Sequence, residues 1–284
     1  FMSVRNTLYH ATVKGMRKLS SARMDLPDVD MKTDLVRARV VSNQELAPQL
    51  RRLTLTAPEF ASVTLTGADE YVGLLMPRQG KLTMPDPTIA NIRAAVKEIP
   101  EDNRPYLRWY TIRELRRDTA EVDIDIVTHG DSGPGSIWAA AAEPGSDVGV
   151  RFIGASHYPH QGPQLYVADP TAMPALRAIL ANMDADTRST THVICVSHSD
   201  DLLEPGGLPD VASFTRIDAA PTTAPGALTG VLASPPCDVD SLTYAWLCGE
   251  SSIATTARRL LVKQGMDKKK IFFSGYWKLG VERA

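Results

Sequence analysis

The texture of the chain changes once, at His160-Gln161-Gly162-Pro163, and one kind of core cannot serve both sides of that point. Before it, short runs of β-branched and leucine residues recur between turn residues, at 36–41, 50–56, 71–76, 108–113, 121–127 and 146–153. The run Glu121-Val122-Asp123-Ile124-Asp125-Ile126-Val127 alternates strictly between acid and apolar side chains, the period of a half-buried strand. Several such strands at this spacing predict an antiparallel barrel or sandwich rather than a parallel sheet. After it, strands at 165–168, 191–197, 213–217, 244–248 and 271–274 are interleaved with helical runs at 174–183 and 253–264. That order predicts a parallel sheet with right-handed crossovers. A chain of 284 residues is long enough for two cores. The expected layout is an arm over 1–33, an antiparallel Greek-key β-barrel over 34–160 and an α/β Rossmann-like domain over 161–284.

Two segments break the barrel pattern. Residues 84–103 are rich in proline and acids around a helical run at 92–99, an excursion from the barrel. Residues 135–142 are alanine-rich, with Ser136 placed as an N-cap and Pro144-Gly145 as a stop. In the second half, 221–226 has turn composition and reads as a loop. The arm carries Arg5, Lys14, Arg17, Lys18 and Arg23 with few acids and reads as mobile or a short helix; Phe1 before Met2 reads as an addition outside the fold.

A net charge of −2 and a pI near 6.3 exclude the strongly basic footprint of a nucleic-acid binder. Cys195, Cys237 and Cys248 are odd in number and widely spaced, against a disulfide scaffold, a zinc ribbon or an iron–sulfur site. A reducing compartment, the cytoplasm, fits, and a monomer is expected. No apolar run reaches the ~18 residues of a membrane span. His157 and His160, separated by Tyr158 and Pro159 with no acid or cysteine nearby in sequence, make a poor metal site, and no resident metal is expected.

The chemistry-bearing residues cluster on the late barrel strands. In Arg108-Trp109-Tyr110-Thr111-Ile112-Arg113, side chains two apart share a face, and a guanidinium suits bidentate contact with phosphate. An ordinary amphipathic strand also reads this way. Downstream, Gly133-Pro134-Gly135-Ser136 opens a helix whose free N–H groups attract an anion, or is a plain strand-to-helix turn. His129 after Val127-Thr128 serves either as a ligand contact or as a structural hydrogen-bonder.

In order, these residues resemble the siderophore-interacting protein family of the ferredoxin reductase-like flavoproteins. The resemblance covers about residues 34–284. It rests on Arg-x-Tyr-Thr-x-Arg at 108–113, Asp-Ile-Val-x-His-Gly at 125–130 and Gly-Pro-Gly-Ser-x-Trp-Ala at 133–139. It continues with Asp169-Pro170-Thr171-Ala172-Met173-Pro174-Ala175, Trp246-x-x-Gly249-Glu250 and Gly275-Tyr276-Trp277. The resemblance implies an FAD-binding barrel joined to a nicotinamide-nucleotide domain, and reduction of ferric siderophores so that iron leaves as Fe(II). It implies that Arg108, Trp109, Tyr110 and Thr111 meet the flavin and its diphosphate, that Val127, Thr128 and His129 line the flavin, and that Pro134, Gly135, Ser136 and Trp138 close over the phosphates and adenine side. No side chain need act as nucleophile or general acid, because the flavin carries the chemistry.

For the donor, NADH or NADPH, a Gly-x-Gly-x-x-Gly loop is absent. The strand end at Asp169 and Thr171 and the loop at Gly249 and Glu250 are then the expected contacts, since both follow strand C-termini. The acidic loop 197–201 leans to NADH. Trp277 either stacks near the flavin or plugs a domain interface. Relatives often carry a basic residue where this chain has Gly73 and again where it has Ser156, which leaves Arg78, Lys81 or Lys278 as candidate siderophore contacts. A flavin-dependent oxidoreductase with another acceptor, and a siderophore- or flavin-binding protein without turnover, are the competing readings.

Overall fold

The computed structural model describes residues 4–21, 23–26, 32, 34–128 and 133–281. Two compact units emerge, one from residues 1–19 and 28–156, the other from residues 20–27 and 157–284. The expected two-domain class holds.

In the first unit, β1 (Leu35–Ala47), β2 (Leu50–Thr56), β3 (Tyr71–Met76), β4 (Tyr106–Arg116), β5 (Glu121–Val127) and β6 (Asp147–Gly154) close into a barrel. Their order around it is β1-β2-β5-β4-β3-β6, a Greek-key arrangement. Alternation builds the core: Val122, Ile124 and Ile126 of β5 point inward and are wholly buried. On the outward face Asp123 and Asp125 are covered by cations. Arg52 grips Asp125 through Nε and Nη2 at 2.7 and 2.8 Å, and Arg116 grips Asp123 at 2.7 and 2.8 Å. Burial opposes ionisation of Asp123, but hydrogen bonds from Arg116 and Thr54 outweigh it and hold the carboxyl below its usual range. α1 (Val4–Ser21), α2 (Ile92–Glu98) and α3 (Pro134–Ala141) complete the unit. The arm is thus helical over most of its described part. α2 lies in the predicted excursion, capped by Asn91, and its Ile92 and Val96 pack on Leu75 and Leu82.

In the second unit, β7 (Gln164–Ala168), β8 (Thr191–Val196), β9 (Ser213–Ile217), β10 (Tyr244–Glu250) and β11 (Ile271–Trp277) form one parallel sheet in the order β11-β10-β7-β8-β9. The chain steps outward from β7 to β9 and returns to the other side of β7, so the order reverses between β7 and β10. In open α/β sheets ligands bind at that reversal, beyond the strand C-termini. The helices are α4 (Met173–Ala181), α5 (Ala185–Ser189), α6 (Ala224–Ala233) and α7 (Ser251–Lys263). α6 corrects the expected loop at 221–226. Pro225 occupies the first helical turn, where a missing N–H costs nothing, and Ala224, Leu228 and Leu232 bury against the core. Residues 23–26 belong to this unit, where Asp25 donates its N–H to Ile271 O at 3.0 Å and accepts from the Tyr158 hydroxyl at 2.7 Å.

Candidate functional site

Strand alternation divides the Arg108–Arg113 motif between two faces. Tyr110 packs against the barrel core, and its hydroxyl reaches the start of α3. A Cβ on Gly135 would stand 2.1 Å from Tyr110 Oη and 3.8 Å from Arg108 Cγ. Gly135, Tyr110 and Arg108 therefore converge on one place, and only glycine leaves room there. Burial pushes the Tyr110 hydroxyl up to about 12 against the opposing charge of Arg108, so it stays a protonated donor. Arg108 gives Nη1 to Leu107 O at 2.9 Å, and no described carboxylate is in ion-pair range of it. Trp109 and Thr111 lie on the opposite face. Trp109 packs edge-on to Tyr71 with Arg93 over its ring at 5.6 Å, and Thr111 pairs in register with Tyr71 and is buried. The structure does not bring these two together with Arg108 and Tyr110.

The start of α3 differs from the sequence expectation. Gly133, at φ 86°, is the N-cap residue and brings no side chain to cap the helix that Pro134 opens. Ser136 is not the cap but a buried residue of the first turn, because proline's fixed φ nucleates the turn ahead of it. The first-turn N–H groups and the positive end of the helix dipole are thus presented beside Tyr110 and Arg108. Trp138 packs against the barrel core. Val127 ends β5 opposite Leu50, and the Thr128 N–H donates to Gln49 O at 2.9 Å. His129 lies outside the described residues. The outer members of the motifs hold each other: Arg113 Nε is 3.9 Å from Asp125, the carboxylate that Arg52 also grips. Their part is to lock β4, β5 and β2 together.

At the order reversal of the parallel sheet stand Asp169, after β7, and Gly249-Glu250, at the end of β10. Asp169 is buried, and its carboxylate faces inward to Thr171, Glu250 and Trp277. Burial raises its pKa, opposed by the hydrogen bonds from Thr171 and Trp277. Glu250 caps α7, accepting from the N–H groups of Ser252 at 2.6 Å and Ile253 at 3.3 Å, and also from Leu279 N–H at 3.2 Å. Those hydrogen bonds, against burial, hold it below its usual range. In the loop after β8, Asp200 pairs with Arg216, a contact that sequence order hides. Cys195 and Cys248 are buried and outside any disulfide; burial drives Cys195 up to about 12, too high for a reactive thiolate.

The family model for a siderophore-interacting FAD-binding domain matches residues 39–153, and that for a siderophore-interacting protein matches residues 162–280. The chain belongs to the siderophore-interacting protein family. The ferric vibriobactin reductase ViuB of Vibrio cholerae is 28% identical over 257 residues, covering 87% of this chain and 89% of that one. A ferric acinetobactin reductase of Acinetobacter baumannii is 25% identical over 214 residues, covering 72% and 73%. The crystal structure of the siderophore-interacting protein SipS from Aeromonas hydrophila superposes with a TM-score of 0.71 at 26% identity, covering 87% of this chain and 93% of that one.

The residues of this siderophore-interacting protein fit FAD. The first-turn N–H groups of α3 and Arg108 supply donors and a cation for a diphosphate, with the Tyr110 hydroxyl seated against Gly135 beside them. The departure at Gly73 also finds a physical account. A Cβ at Gly73 would meet Leu107 Cδ1 at 2.8 Å and Trp109 Cζ3 at 2.9 Å, so Trp109 fills the space a longer side chain would need. The Ser156 N–H donates to Asp69 at 2.9 Å. Arg78 is exposed over the Tyr106 ring at 4.7 Å, and Lys81 and Lys278 are exposed. No group of three or more His, Cys, Asp or Glu side chains placed to hold a metal ion occurs among the described residues. His157 instead joins Tyr166 at 3.0 Å, and His160 joins Asp25 at 2.9 Å.

Proposed function

We propose that the chain reduces ferric siderophores with electrons taken from a nicotinamide nucleotide through FAD, releasing iron as Fe(II). When bound, FAD supplies acceptance of two electrons from the nicotinamide and their delivery one at a time to Fe(III). The observation that carries the reading is the convergence of Arg108, Tyr110 and Gly135 at the start of α3. In this reading Arg108 would neutralise the diphosphate, the α3 N–H groups would donate to it, and the Tyr110 hydroxyl would donate to the cofactor. Val127, Thr128 and, outside the described residues, His129 would line the ring, and Trp138 would close over the adenine. The nucleotide is received beyond β7 and β10, near Thr171 and Gly249. The acidic loop after β8 favours NADH, with Arg216 beside Asp200 the residue to change in testing that choice. Free cysteines agree with a reducing cytoplasm, and the protein is proposed to act as a monomer.

Trp109 over Gly73 supports a second reading, an acceptor less acidic than most ferric siderophores or one that is not a siderophore. Steady-state reduction across hydroxamate, catecholate and citrate-type ferric complexes, with quinones and oxygen beside them, separates the two. Protein that is colourless and takes up no added FAD sinks both.

A further inference from the structure

In the second unit one carboxylate gathers the ends of three neighbouring strands. Asp169 is only 2% exposed. Its Oδ2 accepts the Glu250 N–H and the Trp277 indole Nε1–H, each at 2.7 Å. Its Oδ1 accepts the Thr171 N–H at 2.8 Å, the Thr171 hydroxyl at 2.6 Å and the Ala172 N–H at 3.2 Å. The β10 backbone is pressed onto it: a Cβ at Gly249, where φ is +132°, would stand 2.6 Å from Asp169 Cγ. Glu250 and Trp277 are themselves paired in register across β10 and β11, and the Ser251 hydroxyl donates to Trp277 O at 2.8 Å. Trp277 is thus held by its backbone from one side and by its indole from the other.

We infer that Asp169 is a positioning residue for the nucleotide step, setting the plane of the Trp277 indole and the Glu250 peptide at the edge where the nucleotide is received. This rests on the reading that a nicotinamide nucleotide binds beyond β7 and β10. The carboxylate has no capacity left for a ligand, since five donors share its two oxygens. A carboxamide of the same shape cannot replace it. Asn has one acceptor oxygen, so either the Trp277–Glu250 pair or the Thr171–Ala172 group faces an NH2. A lost or inverted hydrogen bond to a charged acceptor is large enough to move a binding constant by about tenfold.

The test uses the full FAD-loaded chain with Asp169→Asn, Trp277→Phe and the double variant, titrated with NADH and NADPH. Trp277→Phe keeps an aromatic ring but loses the donor. Asp169→Asn is expected to raise the nucleotide KM about tenfold with kcat changed much less. Trp277→Phe is expected to reproduce a good part of that rise, and the double variant to add little to Asp169→Asn, the mark of one shared interaction. Asp169→Asn should also shift that part of the tryptophan emission which is missing in Trp277→Phe. Flavin content of Asp169→Asn should match wild type. Wild-type KM in a folded, FAD-loaded Asp169→Asn, or additive effects in the double variant, would overturn the inference while leaving the nucleotide reading intact. Should Asp169→Asn not fold, Trp277→Phe decides alone: unchanged KM and an unchanged near-ultraviolet signature overturn it. Wild-type enzyme that shows no saturable response to either nucleotide overturns both.

Discussion

Adding one methyl group at Gly135 tests the cofactor cradle from the inside. The backbone there is helical and accepts alanine, so Gly135→Ala introduces a steric effect and little backbone strain. Its Cβ would lie 2.1 Å from Tyr110 Oη, where ordinary contact begins at 3.4 Å, and the Tyr110 ring must retreat by over an ångström from a packed site. Overpacking of this kind costs about 1–3 kcal/mol, and the better helix propensity of alanine returns up to about 1 kcal/mol. A clash as deep as 2.1 Å places the cost in the upper part of that range, so the net loss is about 1–3 kcal/mol, a fall of roughly 2–12 °C in Tm for a domain of this size. Differential scanning fluorimetry reads that fall, and fluorescence titration should show FAD affinity reduced about tenfold or more. Tyr110→Phe supplies the control. It removes the clashing oxygen and leaves Cζ as the nearest atom, at 3.5 Å, so Gly135→Ala/Tyr110→Phe should regain most of the Tm. A Gly135→Ala protein with wild-type Tm and FAD affinity, or a double variant no more stable than the single, would refute the proposed convergence.

Further outcomes follow from the same physics. Gly73→Lys should lose about 1–3 kcal/mol through overpacking on Leu107 and Trp109, and Trp109→Ala in the same chain should recover part of it; thermal melts decide. His157 is buried neutral, its pKa pushed down to about 3 by burial and by His160. Below the unfolded value near 6.5 the unfolded chain takes a proton that the folded one refuses, so this site contributes a loss of about 2 kcal/mol by pH 5. His157→Gln should flatten urea-measured stability between pH 6.5 and 5, and an unchanged slope would contradict the assignment. Asp123 behaves in the opposite sense, since its depressed pKa adds stability that is present above the unfolded value near 3.9 and lost as pH falls through the folded one. Asp123→Asn should therefore cost about 1.5–3 kcal/mol at pH 7 and progressively less in acid, read by urea melts.

How much was legible in the chain itself follows from the range of each interaction. The strict alternation of 121–127 and the β/α order after Pro163 are short-range patterns, and they predicted both sheets. The α3 N-cap was misplaced by three residues because Ser136 resembles a cap, although Pro134 after Gly133 carried the better signal. α6 was hidden by two glycines and a proline, a composition that burial of Leu228 and Leu232 overrides. At the site, Arg108, Tyr110 and Gly135 could be named from their motifs, and strand parity already sets Trp109 on the other face, but what Trp109 packs against needed the register of β3 against β4. The Asp169–Trp277 bond joins residues 108 positions apart and has no local signature. The same holds for Asp25 with His160, 135 apart, which ties part of the arm into the second unit.

The most direct measurement is an anaerobic titration of the FAD-loaded protein with NADH, followed by a ferric siderophore and an Fe(II)-specific chromogenic chelator. The account predicts that NADH bleaches the flavin absorption, and that the siderophore restores it with two Fe(II) captured per flavin. A protein that binds no FAD, or whose reduced flavin persists in the presence of every ferric complex, would contradict it.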